Sequence, residues 1–104
     1  MKAICQVVSV VASMLAAYPS LAEDGSTLHN WCENLPDAAM GYIVGVADAL
    51  STRRALPFCM PEGVTRGQLQ DIVCGYLREE PERRRYDATS AVWNAQRKAW
   101  PCKK

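Results

Sequence analysis

Thr65-Arg66-Gly67-Gln68-Leu69-Gln70-Asp71-Ile72-Val73-Cys74-Gly75-Tyr76-Leu77-Arg78-Glu79-Glu80-Pro81 is the stretch on which the fold turns. Thr65 and Gln68 have the spacing of a capping box, in which each side chain bonds the other residue's backbone N–H, so a helix starts at Arg66. Leu69, Ile72, Val73, Tyr76 and Leu77 recur at helical spacing and give it one apolar face. Pro81 ends it near Glu79, because proline cannot continue a helix and pushes the residue before it out of helical geometry. Cys74 lies at the edge of the apolar stripe, where a sulfur can reach sideways to another element.

Working outward, Glu82-Arg83-Arg84-Arg85-Tyr86 is a charged connection. Asp87 can cap a further helix, about 88–99, that Pro101 closes. Upstream, Pro57, Pro61 and Gly63 mark 53–64 as a loop. Before it, Pro36 suits a first helical position and Asp37 the positive end of the dipole, opening a helix that runs to about 52. Ser26 is a plausible cap for a first helix, 27–34. Nothing alternates with period two for long enough to make a strand. The expectation is an all-α, disulfide-stapled bundle of about four helices with one long loop.

The 36–52 helix has an apolar face of Ala39, Ile43, Val46, Ala47 and Leu50, while Gly41, Gly45, Asp48 and Thr52 share the other side. Each helix glycine costs about 1 kcal/mol relative to alanine. The favoured reading is that Gly41 and Gly45 are offset by close packing, with Asp48 at the rim of that groove; the alternative is a tolerated, solvent-facing glycine pair. The face of Ala88, Ala91, Val92, Ala95 and Ala99 on the last helix is the expected match. On that packing, Gly45→Leu unfolds the protein. Trp93 serves either as an edge-of-core residue or as a partner anchor, since tryptophan is enriched at hot spots.

The chain has 104 residues, enough for one domain. Lys2, the apolar run 7–17 and the small residues Ser20 and Ala22 have the pattern of a secretory signal cleaved after Ala22. The run is shorter than the roughly 20 residues that span a bilayer, which disfavours an anchor. Cys5 precedes the run, which disfavours a lipoprotein. The mature domain is then 23–104. The 12 basic and 11 acidic residues of the chain lose only Lys2, so the mature net charge is near zero. That disfavours nucleic acid and anionic lipid as partners.

Of the five cysteines, Cys5 leaves with the signal. Cys32, Cys59, Cys74 and Cys102 remain, an even count that in a short exported chain reads as a disulfide framework with three possible pairings. The rival is four free thiols in a reducing compartment.

Catalytic signatures are sparse. His29 and Cys32 make a His-x-x-Cys pair on one helical face, but no complementary ligand cluster accompanies it, so neither a metal site nor a cysteine nucleophile is assigned. No Cys-x-x-Cys, phosphate loop or Gly-x-Ser-x-Gly elbow occurs. No cofactor is implied, and an enzyme is not expected. Arg83, Arg84 and Arg85 form a short basic cluster flanked by Glu79, Glu80, Glu82 and Asp87, which reads as a solvated patch or a partner contact.

Several pieces then recur in order. They are Gly25-x-x-Leu28-x-x-x-Cys32, Gly41-Tyr42-Ile43-x-Gly45-Val46-x-Asp48-Ala49 and Phe58-Cys59-x-Pro61-x-Gly63-Val64-Thr65-x-x-Gln68-Leu69. Tyr76-Leu77, Pro81-Glu82-x-Arg84 and Trp100-Pro101-Cys102 complete the set. With them the chain resembles the Rap/Tai-type immunity proteins of bacterial type VI secretion. The resemblance implies a periplasmic helical domain, often homodimeric, that binds a secreted peptidoglycan amidase and blocks its active site. It also implies a Cys59–Cys102 bridge. The family usually has a cysteine just before the Gly-Tyr of the second helix, where Met40 stands here, so the first cysteine is expected to reroute as Cys32–Cys74. Candidate partner contacts are the 53–64 loop, Arg83, Arg84, Arg85 and Trp93. Two other functions compete: an acid-stress periplasmic chaperone of the HdeA type, and an envelope structural module without a toxin partner.

Overall fold

The computed structural model describes residues 23–52 and 56–103. The expected signal at 1–22 and the start of the 53–64 loop lie outside the described residues. Four α-helices follow in order: α1 (Gly25–Asn34), α2 (Pro36–Ser51), α3 (Arg66–Glu79) and α4 (Ala88–Ala99). The charged connection is itself a short 3₁₀ helix, Pro81–Arg85. Among the described residues, extended pairing is limited to the isolated bridges Asp24↔Asp87 and Phe58↔Pro101.

Local chemistry sets these bounds. At α3 the capping box is reciprocal: Gln68 N donates to Thr65 Oγ1 at 3.1 Å, and Thr65 N donates to Gln68 Oε1 at 2.9 Å. Asp87 caps α4 by accepting from Ser90 N at 3.1 Å and from the Ser90 hydroxyl at 2.8 Å. At α1 the cap is Asp24, which accepts from Thr27 N at 2.7 Å, so the helix starts two residues before the expected position. The Ser26 hydroxyl, the expected cap, instead donates to the Arg84 carbonyl at 3.2 Å.

The apolar faces converge on one core. Leu28, Ile43, Val73, Leu77 and Val92 are fully buried, one or more from each α-helix. Each such side chain contributes about 1.5–3 kcal/mol on leaving water. Ala88, Ala91 and Ala95 keep the buried face of α4 thin, which lets its neighbours approach closely. Of the expected stripe on α3, only Ile72 stays half-buried.

Two disulfides fasten the bundle. Cys32–Cys74 ties α1 to α3 across 42 residues, and Cys59–Cys102 ties the loop to the C-terminal segment across 43. In the chain-entropy treatment, closing a loop of that length is worth roughly 4 kcal/mol.

The proposed packing of α4 against Gly41 and Gly45 is not what the fold does. Both glycines are exposed, as is Asp48. A methyl group added at either glycine would meet no atom within 4 Å. Ala88, Ala91, Val92 and Ala95 of α4 turn instead to the apolar core shared with α1, α2 and α3, while Ala99 is exposed. Ala39 and Ile43, on the opposite side of α2, supply that helix's fully buried contacts. The glycine that close packing does require is Gly25. A methyl group there would lie 2.8 Å from the Arg84 carbonyl oxygen and 2.9 Å from the Arg84 Cα.

Candidate functional site

A 3₁₀ helix has three residues per turn, so three consecutive side chains leave it in three directions. Arg83, Arg84 and Arg85 separate accordingly. Arg84 turns inward: its Nε donates to the Leu77 carbonyl at 2.7 Å and its Nη2 to the Arg78 carbonyl at 3.1 Å. It thereby covers the last carbonyls of α3, the negative end of that helix dipole. Arg84 is thus engaged within the fold, half-buried, rather than standing out beside its neighbours.

Arg83 and Arg85 remain exposed. Arg83 lies 3.9 Å from Glu80, and Lys98 of α4 lies 3.8 Å from the same carboxylate. Ion pairs this open to solvent add little stability. The Arg85 guanidinium sits 5.2 Å above the Tyr86 ring centre and donates to Tyr86 Oη at 3.2 Å.

Trp93 occupies a different surface. Its ring meets Phe58 edge-on, with centres 5.5 Å apart and planes at 83°. Phe58 is buried, and the next residue, Cys59, carries the bridge to Cys102 while its N–H donates to the Trp100 carbonyl at 2.7 Å. Half-buried Trp93 thus braces the loop. Its neighbour Asn94, rotated about 100° around the helix, lines a groove on the α3 side. Trp93 is not among the residues that line the hollows bordered by Arg83.

That groove was not anticipated from the sequence. A hollow of about 170 Å³ is lined by Tyr76, Arg83, Tyr86, Ser90, Ala91 and Asn94. A second, of about 220 Å³, shares Tyr76, Arg83 and Asn94 and adds Glu80, Arg97 and Lys98. Burial pushes the Tyr76 hydroxyl above the usual tyrosine range, with Glu80 adding to the rise, so it stays protonated at neutral pH.

His29 offers less chemistry than its pairing with Cys32 suggested. The Cys32 sulfur is bonded to Cys74. His29 Nδ1 is buried without a hydrogen-bond partner. Burial lowers the imidazole's pKa, and the nearby Arg84 charge lowers it further. Among the described residues, no group of three His, Cys, Asp or Glu side chains could hold a metal, and no helix is long and apolar enough to cross a membrane.

Residues 24–102 match the family model of the Rap1a immunity proteins, a span that takes in all four helices and both disulfides. No curated protein and no solved structure matches the chain. With the match running nearly the full length of the described domain, the chain belongs to the Rap1a immunity protein family.

Proposed function

We propose that this protein neutralises a secreted peptidoglycan amidase by binding it in the periplasm and covering its active site. The observation that carries the reading is the family match across 24–102. Two disulfides in so small a domain support an oxidising compartment, where such bridges persist. Steric occlusion is the mechanism, and the chain acts as a binder rather than as an enzyme. A rigid binding face suits that task, because little ordering entropy is lost on docking. Here both bridges and the Phe58–Trp93 contact supply the rigidity. Family resemblance extends the reading to a homodimer, which light scattering of the purified protein checks.

The test is co-expression with the product of a neighbouring amidase-like gene. A complex that survives purification, with cells protected from periplasmic amidase, is the expected result. Absence of binding or of protection removes the proposal for that pair. One observation favours the acid-chaperone alternative: two helix caps here are aspartates, whose protonation loosens two helices together. Suppression of client aggregation near pH 2–3, below the roughly 3.9 of an ordinary aspartate, tests it.

A further inference from the structure

We infer that the groove between α3, the 3₁₀ turn and α4 is a docking site for an acidic segment of a protein partner. The inference rests on the partner-binding reading above and names the surface and the chemistry it recognises.

Charge is the first argument. The walls of the two joined hollows carry Arg83, Arg97 and Lys98, and Glu80 is the only carboxylate among their lining residues. Glu80 is shared between Arg83 and Lys98 at 3.9 and 3.8 Å, which leaves cationic charge in surplus. Arg85 does not line the hollows, but its guanidinium lies 5.2 Å from the ring centre of Tyr86, which does. This surplus is local, since acidic and basic residues balance over 23–104. A balanced chain gives no broad attraction for polyanions, so the groove suits a short acidic stretch rather than nucleic acid or a lipid surface.

Shape is the second. Ser90, Asn94 and Lys98 follow one another along α4 at one-turn intervals, spanning about 12 Å of groove. That is too long for one compact anion and fits two carboxylates about four residues apart on an extended chain. Tyr86, which is exposed, presents apolar surface to the methylene stem of such a side chain. Arg83 and Asn94 offer donors to the heads, the Ser90 hydroxyl being already given to Asp87, and a charge-assisted bond of this kind gives orientation as well as affinity. Two adjoining hollows are acidic: one shares Glu80 and Arg83 and adds Glu79 and Glu82, and the other shares Tyr76 and Lys98 and adds Asp71 and Glu79, so the cationic stretch is short and its neighbours would repel a misplaced acidic chain.

The experiment titrates the purified ¹⁵N-labelled protein with a hexaglutamate peptide, and separately with hexalysine, inorganic phosphate and phosphatidylglycerol vesicles. Saturable shifts at Tyr76, Ser90 and Asn94 with hexaglutamate are expected. Affinity should fall about tenfold in Arg83→Gln/Arg97→Gln, at unchanged melting temperature, and be unaffected by Trp93→Phe. No saturable shift in the groove overturns the inference. So does phosphate or vesicle binding as tight as the peptide's, or a preference for hexalysine. The probe is a peptide and not an amidase, so failure here leaves the amidase reading standing, and loss of that reading leaves a positive result here intact.

Discussion

Asp24 and Asp87 face each other across an antiparallel bridge, and each caps the helix that begins beside it. Gly25 N donates to the Tyr86 carbonyl at 2.7 Å and Ala88 N to the Glu23 carbonyl at 2.8 Å, so the starts of α1 and α4 are joined by backbone. The Thr27 N–H holds the Asp24 carboxyl below the usual range, and the Ser90 hydroxyl does the same for Asp87. A carboxyl whose folded pKa lies below its unfolded value stabilises the fold fully at higher pH. That contribution is lost as pH falls through the folded pKa. Both caps should therefore weaken together below about pH 4. Asparagine caps helices about as well as aspartate but does not titrate here. Melting temperature against pH should thus show a shallower acid limb in Asp24→Asn/Asp87→Asn than in the wild type, with little difference at pH 7. Identical acid limbs would refute the linkage.

Gly25 and Gly45 should respond to the same substitution with opposite signs. At Gly25 an added methyl meets the Arg84 backbone at 2.8–2.9 Å, and backbone cannot yield as a flexible side-chain tip can. Gly25→Ala should cost about 1–3 kcal/mol and separate α1 from the 3₁₀ turn. At Gly45 the site is open. Gly45→Ala should stabilise by roughly 0.5–1 kcal/mol, through helix propensity alone. Denaturant midpoints of the two variants, one on each side of the wild type, are the measurement. A destabilised Gly45→Ala would mean that the outer face of α2 is covered in solution, as a homodimer would do.

This contrast marks where the sequence was legible. Most signals that act within a few residues read correctly: the Thr65–Gln68 box, Pro36 at a first turn, Asp87 as a cap and the breaks at Pro81 and Pro101; the exception is Ser26, whose expected capping role falls to Asp24 while its hydroxyl goes to the distant Arg84 carbonyl. The apolar stripe on α3 read correctly for the same reason, since periodicity is local. Gly41 and Gly45 misled because a glycine's cost is written in the sequence and its compensation is not. Their open side depends on where three other helices settle. Gly25 carried no local signal, since its reason is the Arg84 backbone 59 positions away. The groove was invisible for a related cause: Tyr76 and Asn94 lie on different helices and meet only through tertiary packing. Arg83–Arg85 looked like one patch because the sequence shows three like charges in a row. The 3₁₀ geometry that disperses them appears only in the fold.

The two disulfides should differ in how readily they open. Cys59 and Cys102 are both exposed, whereas Cys74 is buried and Cys32 half-buried. Thiol–disulfide exchange needs access for the attacking thiolate. Graded reductant followed by alkylation and peptide mapping should label Cys59 and Cys102 first, with the helical content kept. Replacing Cys32 and Cys74 together should instead release α1 from α3 and cost roughly 4 kcal/mol. Equal labelling of all four cysteines at every reductant concentration would rule out the hierarchy.

Arg84 should behave unlike the arginines on either side of it. Its two hydrogen bonds run to carbonyls at the end of α3, through Nε and Nη2 of one planar group. An ammonium cannot reproduce that forked geometry, so Arg84→Lys is not conservative here. Bonds from a charged donor are worth about 1.5–3 kcal/mol each, less where water competes, and Arg84 is only half-buried. Arg84→Lys and Arg84→Ala should each lose about 2 kcal/mol in denaturant unfolding. Exposed Arg83 and Arg85 sit in contacts that solvent screens, so Arg83→Ala and Arg85→Ala should leave stability within about 0.5 kcal/mol of wild type. If instead all three alanine variants unfold at the same denaturant concentration, Arg84 is not the clasp between the 3₁₀ turn and α3.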